Sequence, residues 1–362
     1  MTAKTIFATV VVTMVLLAAG AVQANVFDMG GTRNADGSWT GIASLETVPV
    51  GNPGNAVDTR YATPGYGSVA YTYNIGKYEV TAGQYTEFLN KVAKTDTYGL
   101  YNTSMGTLVS GMGCNIKRTG LSGSYVYSVD ANWTNHPVDV VSWGDAARFA
   151  NWLHNGQPTG AQGLTTTEDG AYYLNGATTS ANLLAVSRKS DWKWAITSEN
   201  EWYKAAYYKG GGTNAGYFDY PTSSDTAPGR DLADVSGNNA NILGTPYPII
   251  SGQCTTVVGE FQNSDSPYGT FDQGGNNWEW NEAVIGSDCG VRGGSYGSTG
   301  DFVNLRPSDR SLHYSPTDEY YSLGFRVSAT PEPATLSLLA LGGLALLRRC
   351  WKTDRSRPAS RC

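Results

Sequence analysis

Glycine supplies 44 of the 362 residues, and the segments with any hydrophobic period are short and set apart by long polar runs. Such a chain must turn often and cannot be assembled from long helices or wide regular sheets. Aromatic residues make up 12% of it, enough bulk for a large buried core. Together these features predict a loop-rich α+β domain, with no internal repeat and no linker inside it.

The periodic segments fall early. Residues Val26 to Pro64 are rich in Gly, Thr and Asn and read as an irregular entry. The stretch Val69 to Val80 reads as a strand, with Tyr71, Tyr73 and Ile75 alternating before Gly76. A helix follows Thr81, where Tyr85, Phe88, Leu89 and Val92 recur at helical spacing. A second starts at Ser142, which forms a capping-box pair with Asp145, and a third at Ser198, paired with Glu201. The Gly- and Tyr-rich stretch Tyr207 to Ala227 reads as loop, and Asn238 to Val327 as turn and strand, which confines helices to the first two thirds.

Both ends look like processing signals. Lys4, the apolar run Ile6 to Ala19 and the small residues up to Ala24 form a secretory signal over residues 1–24, cleaved before Asn25. The apolar run falls short of the roughly 20 residues of a spanning helix. At the other end, Pro331-Glu332-Pro333, the uncharged run Ala334 to Leu347 and the pair Arg348-Arg349 resemble the Pro-Glu-Pro (PEP-CTERM) sorting tails of Gram-negative bacteria. That resemblance implies exosortase-type processing machinery as a partner, transient capture by the membrane and a final place at the cell envelope or outside it. The extension Cys350 to Cys362 is longer than such tails carry. The organisation expected is therefore signal 1–24, irregular entry 25–47, main domain 48–328 and sorting tail 329–362.

Processing also changes the charge. Seven of the 25 basic residues but only two of the 31 acidic ones lie in the two ends, so a net charge of −6 becomes about −11 in the mature body. An acidic body, with a sequence pI of 5.1, argues against nucleic acid and against anionic membrane surfaces and is compatible with divalent cations. Of five cysteines the body keeps Cys114, Cys254 and Cys289, which permits one disulfide of undetermined pairing and one free thiol.

Seven ordered motifs stand out: HPVDVVSWGDAARFANWL (136–153), AITSENEWYKAAYY (195–208), ANI (240–242), GNNWEW (275–280), RGGSY (292–296), LRPSDR (305–310) and LGFRV (323–327). Most of their residues have structural explanations. Trp143, Trp202, Trp278 and Trp280 suit a core, Gly293 and Gly294 a close backbone approach, and Arg326 a buried ion pair. His136 and His154 also read as structural, and His313 stays open.

In this order and spacing the motifs resemble the formylglycine-generating enzyme (sulfatase-modifying factor) family, over roughly Val48 to Ser328. The resemblance implies that family's variant of the C-type-lectin-like fold. It also implies calcium, held by Asn241, Ile242 and Phe261 at one site and by Gly275, Asn277 and Glu279 at another. The first site departs from the pattern, since Gly259 stands two residues before Phe261 where an Asp is expected, so one ion is expected rather than two. Catalysis in the family rests on two cysteines that bind copper and oxidise a substrate cysteine to formylglycine. Those positions hold Ser298 and Val303, neither a soft ligand, so copper is not expected and no catalytic residue is assigned. A helical iron-binding domain with three histidines, as in the family's sulfoxide synthases, is not matched either: His136, His154 and His313 are scattered.

Two readings follow. One is a non-catalytic, calcium-supported binding platform at the envelope, presenting Tyr217, Phe218, Tyr220, Tyr314 and Tyr320 to a saccharide or peptide ligand. The alternative is an oxygen-dependent oxidoreductase of the formylglycine-generating type with a different metal-ligand set.

Overall fold

In the computed structural model, residues 26–35, 39–298 and 302–331 are described; the signal segment and nearly all of the sorting tail lie outside them. Strands β1 (Val26–Phe27), β2 (Thr32–Arg33), β3 (Trp39–Thr40), β4 (Leu45–Val50) and β5 (Tyr73–Gly76) precede helix α1 (Ala82–Val92). The hairpin strands β6 (Ile116–Thr119) and β7 (Val126–Val129) lead to α2 (Trp143–His154), the short α3 (Ser180–Leu184), β8 (Trp194–Ile196) and α4 (Glu199–Tyr207). After a long irregular stretch come β9 (Trp278–Ile285), β10 (Asp288–Arg292), β11 (His313–Tyr314), β12 (Leu323–Phe325) and β13 (Val327–Ala329).

All three expected helices form where their caps place them. Thr81, Ser142 and Ser198 each accept from the backbone of the third helical residue, and Gln84, Asp145 and Glu201 reach back to the cap, closing three capping boxes. Each box satisfies two end groups that the helix itself leaves unbonded. Tyr85, Phe88, Leu89 and Val92 of α1 face inward and meet α2, with Phe88 5.3 Å from both Phe149 and Trp152, ring centre to ring centre. Phe325 of β12 closes the cluster edge-on against Phe149 at 5.4 Å.

Two sheets frame this core. One runs β1-β4-β5-β13-β8; the other runs β11-β10-β9-β12, with β12 parallel to β9 and the remaining pairs antiparallel. In the first sheet β13, the last strand among the described residues, lies inside, where Ser328 pairs with Ile75 on one side and Ala195 on the other. This is the mixed α+β, C-type-lectin-like architecture expected.

Three local expectations need correction. The strand expected over Val69 to Val80 is only Tyr73–Gly76. The Val69 backbone bonds to Asn55 and Gly54 instead, and Val80 donates to Phe325, so the chain leaves the sheet at both ends. The irregular entry contains β4, which pairs β1 and β5; Glu46, Thr47 and Pro49 broke the alternation that would have revealed it. Helix α3 was also missed, being a five-residue turn capped by Thr179. Cys114, Cys254 and Cys289 are free and buried. No helix among the described residues is long and apolar enough to cross a membrane.

Candidate functional site

The GNNWEW motif enters β9, and LGFRV forms β12, the junction residue Arg326 and the start of β13. The parallel register sets Gly324 opposite Glu279, which brings the Arg326 guanidinium onto the Glu279 carboxylate. Arg326 Nε donates to Glu279 Oε2 at 2.5 Å and Nη2 to Oε1 at 2.6 Å, while Trp202 Nε1 of α4 donates to Oε2 at 2.7 Å. Arg326 and Glu279 are both fully buried, and Arg326 also donates to the carbonyls of Gly76 and Phe271. The Arg326–Glu279 pair thus ties the two sheets, α4 and the loop before β9 together.

Beside this pair lie two more buried carboxyls. Glu79 accepts from the Asn276 side chain at 2.9 Å and the Asn277 backbone at 3.1 Å, and Asp272 accepts from the Gly259 backbone at 2.6 Å. Burial pushes Glu79 well above the ordinary carboxyl range and Asp272 up to about 6, with the Asp272 charge adding to the burial effect at Glu79. Asn276 is the hub: its Oδ1 accepts from Thr256 at 3.0 Å and from Asn241 at 3.2 Å. Gly275 must be glycine, since its φ is +87° and a Cβ would stand 2.3 Å from the Asn241 carbonyl oxygen.

The residues named for calcium are therefore brought close together, but their donor atoms are engaged. Both Glu279 oxygens are held by Arg326, and a dication there would face a guanidinium at hydrogen-bond distance. The Ile242 carbonyl accepts from Arg230 Nε at 2.7 Å, placing a second guanidinium on the other candidate site. The Asn241 carbonyl accepts from the Asn276 backbone, and Phe261, whose carbonyl accepts from Ser264, lines a small closed void with Asn239 and Asp272. Asn277 Oδ1 is buried without a hydrogen-bond partner among the described residues. Among the described residues no group of three or more His, Cys, Asp or Glu is arranged to hold a metal. As they stand, these residues do not fit a calcium ion.

The positions of the family's cysteine pair are equally committed. Ser298 is buried, its Oγ accepts from the Ser295 backbone at 2.8 Å and its own carbonyl accepts from Leu243. Val303 begins a single 3-10 turn, Val303–Leu305, and is 42% exposed. None of the three histidines bonds to Ser298: His136 meets Thr255 at 2.9 Å, His154 accepts from Lys193, and His313 meets Asp288 at 2.6 Å. His136 is moreover held neutral, burial lowering it to about 4. The remaining thiols are no substitute, since burial raises Cys114 and Cys254 and pushes Cys289 up to about 12.

Other motif residues are structural. Arg292 of RGGSY and Arg310 of LRPSDR converge on Glu199, each through two nitrogens at 2.7–3.0 Å. Glu201 caps α4 and pairs with Arg188, which also holds Glu282. Two of the five aromatics expected at the surface are inside: Tyr217 is 7% exposed and Tyr220 4%, packed on Tyr203 and Arg306 respectively. Tyr320 is exposed, and Phe218 and Tyr314 are half-buried. Sequence reasoning passed over Asp139, a fully buried carboxyl that lies near Cys114 and the Gly113 backbone but makes no hydrogen bond of good geometry among the described residues, next to Val140 at φ +57°. Burial raises its pKa well above the usual value; a β-branched residue in the left-handed region was the signal, and sequence does not display it.

These sheets, caps and motif positions define a domain of the C-type-lectin-like kind. The model of the sulfatase-modifying factor enzyme 1-like domain matches residues 13–330, and the chain belongs to that family. Among solved structures, Treponema denticola variable protein 1 superposes with a TM-score of 0.50 at 16% identity, covering 86% of this chain and all of that one. CarF (TM-score 0.48, 20% identity, 80% of this chain and 99% of that one) and PvdO from Pseudomonas aeruginosa (0.45, 18%, 86% and 100%) are also similar. At these identities the likeness shows the fold alone. No curated protein matches the chain.

Proposed function

We propose that this chain is a non-catalytic member of the family, an exported binding protein of the cell envelope. The observation that carries the reading is the state of the two positions where the family's chemistry resides. One is a serine whose hydroxyl is folded into its own turn, and the other an exposed valine. Neither supplies a thiolate for a soft metal or for the thiol exchange that the reaction needs. What the chain retains is the frame: the Glu279–Arg326 pair, the Glu199 arginine cluster and the asparagine hub hold the loops that would otherwise present those residues. In this reading calcium is not needed to hold that frame. Export follows from the terminal segments, and an acidic, thiol-poor body suits that destination.

The test is incubation of the purified protein, with copper and oxygen, with a Cys-Xaa-Pro-Xaa-Arg peptide, followed by mass spectrometry. The expected result is unmodified cysteine; an aldehyde product would sink the proposal. For export, the protein is expected in the envelope fraction with Asn25 as its first residue.

A further inference from the structure

A second, separate feature lies on the flank formed by the loop 173–177 and the segment 182–189. Between them is an open cleft of about 480 Å³, lined by Tyr173, Asn175, Asn182, Ser187 and Lys189 among others and by none of the residues named for calcium or for the cysteine pair. The volume falls in the range of about 300–1,000 Å³ typical of small-ligand sites.

Its floor is built with care. Arg148 of α2 and Glu168 form a bidentate pair at 2.7 and 3.0 Å, each side chain 2% exposed. From that pair, Arg148 Nη2 holds the Ala177 carbonyl at 2.9 Å and Glu168 Oε2 accepts from the Gly176 backbone at 2.8 Å. The Glu168 carbonyl in turn accepts from Leu174 and Asn175. On the other wall, Lys189 donates its backbone to Ala171, and Tyr172 bridges to Arg188. Two bonds from a buried ion pair and two more from the Glu168 backbone fix that loop's shape in advance.

The side chains this loop turns outward are all neutral, polar or aromatic. Tyr173 is 53% exposed, and its hydroxyl, the Asn175 and Asn182 amides and the Ser187 hydroxyl make no hydrogen bond among the described residues. The only charge in the lining, Lys189, sits over the Tyr173 ring at 6.0 Å and is neutralised by Asp169. A half-exposed tyrosine beside amide and hydroxyl groups, its one neighbouring cation paired with Asp169, matches a ligand that offers C–H faces and many hydroxyls. It does not match a phosphate, a carboxylate or an apolar chain.

We infer that this cleft is a saccharide-binding site for a neutral oligosaccharide, whose sugar ring stacks on Tyr173 while Asn182 and Ser187 bond its hydroxyls. The inference does not depend on the absence of catalysis. The experiment is calorimetry on the full chain with cellohexaose, maltohexaose and chitohexaose, the last carrying N-acetyl groups. At least one is expected to bind, Tyr173→Ala to weaken that binding by about tenfold or more and Asn182→Ala by a smaller factor, with unfolding midpoints unchanged because both side chains are exposed. Binding is expected to persist in excess chelator, since no carboxylate lines the cleft. Failure of all three sugars to bind, binding untouched by Tyr173→Ala, or loss of binding on chelation would each overturn the inference.

Discussion

The region around α1 and α2 and the region around the start of β9 are both buried and closely packed, but they are held by different forces. The first is an aromatic and aliphatic cluster in which Phe149 meets Phe88 and Phe325 face to edge and Trp152 packs tilted against Phe88. The second buries Glu79, Asp272, Glu279, Asn276, Asn277 and Arg326. Apolar packing degrades gradually as side chains shrink, because neighbours can partly collapse into the gap. A buried charge pair fails abruptly when one partner goes, because the other is left unpaired.

The largest expected effect lies in the polar region. Arg326→Met leaves Glu279 buried beside Glu79 and Asp272 and is expected to cost about 3–5 kcal/mol by denaturant unfolding. The double variant Glu279→Gln with Arg326→Met is expected to recover part of that loss; a double variant no more stable than Arg326→Met would break the comparison. Phe149→Ala in the apolar region should cost about 3–5 kcal/mol as well, but without a partner substitution that restores it.

A pH-dependent effect of intermediate size is expected where the 315–320 loop meets α2. Burial, with the charge of Asp145 second, pushes Glu319 up to about 8, and burial raises Asp145. A carboxyl whose folded pKa is raised favours the folded state below its ordinary range and loses that contribution as pH rises toward the folded value. Stability is therefore expected to fall from about pH 4.5 to 8, and Glu319→Gln to flatten that fall in a melting series; an equally steep profile would refute it. Ser142→Ala, removing the α2 cap, should cost about 1 kcal/mol. The smallest effect is expected from chelation, which should leave the melting temperature unchanged, because Glu279 has Arg326 for a counter-charge; a drop restored by calcium would show that the polar region has a second source of stability.

The same contrast explains what could be seen in the sequence. Helical spacing and a capping pair are local, so Thr81 with Gln84, Ser142 with Asp145 and Ser198 with Glu201 marked their helices directly. The family motifs carried the fold as a whole, and Arg326 was expected to meet an acid. Which acid it meets depends on the parallel register of β12 against β9, and that is set by contacts across 47 residues of chain. Glu279 therefore looked available for calcium. The strand β4 stayed hidden because its first three residues are all buried, Glu46 and Thr47 among them, and Pro49 follows, and Tyr217 and Tyr220 because a Gly- and Tyr-rich stretch looks alike whether its rings face in or out.

The position of β13 has a kinetic consequence. Its neighbours β5 and β8 end more than a hundred residues earlier, and both keep an open edge until residues 327–329 have been made. The first sheet can be completed only when nearly the whole domain exists, so folding is dominated by non-local pairing and is expected to be slow. An exported chain, as proposed above, would gain from that delay, staying unfinished and able to pass through a secretion channel until residues 327–329 are made.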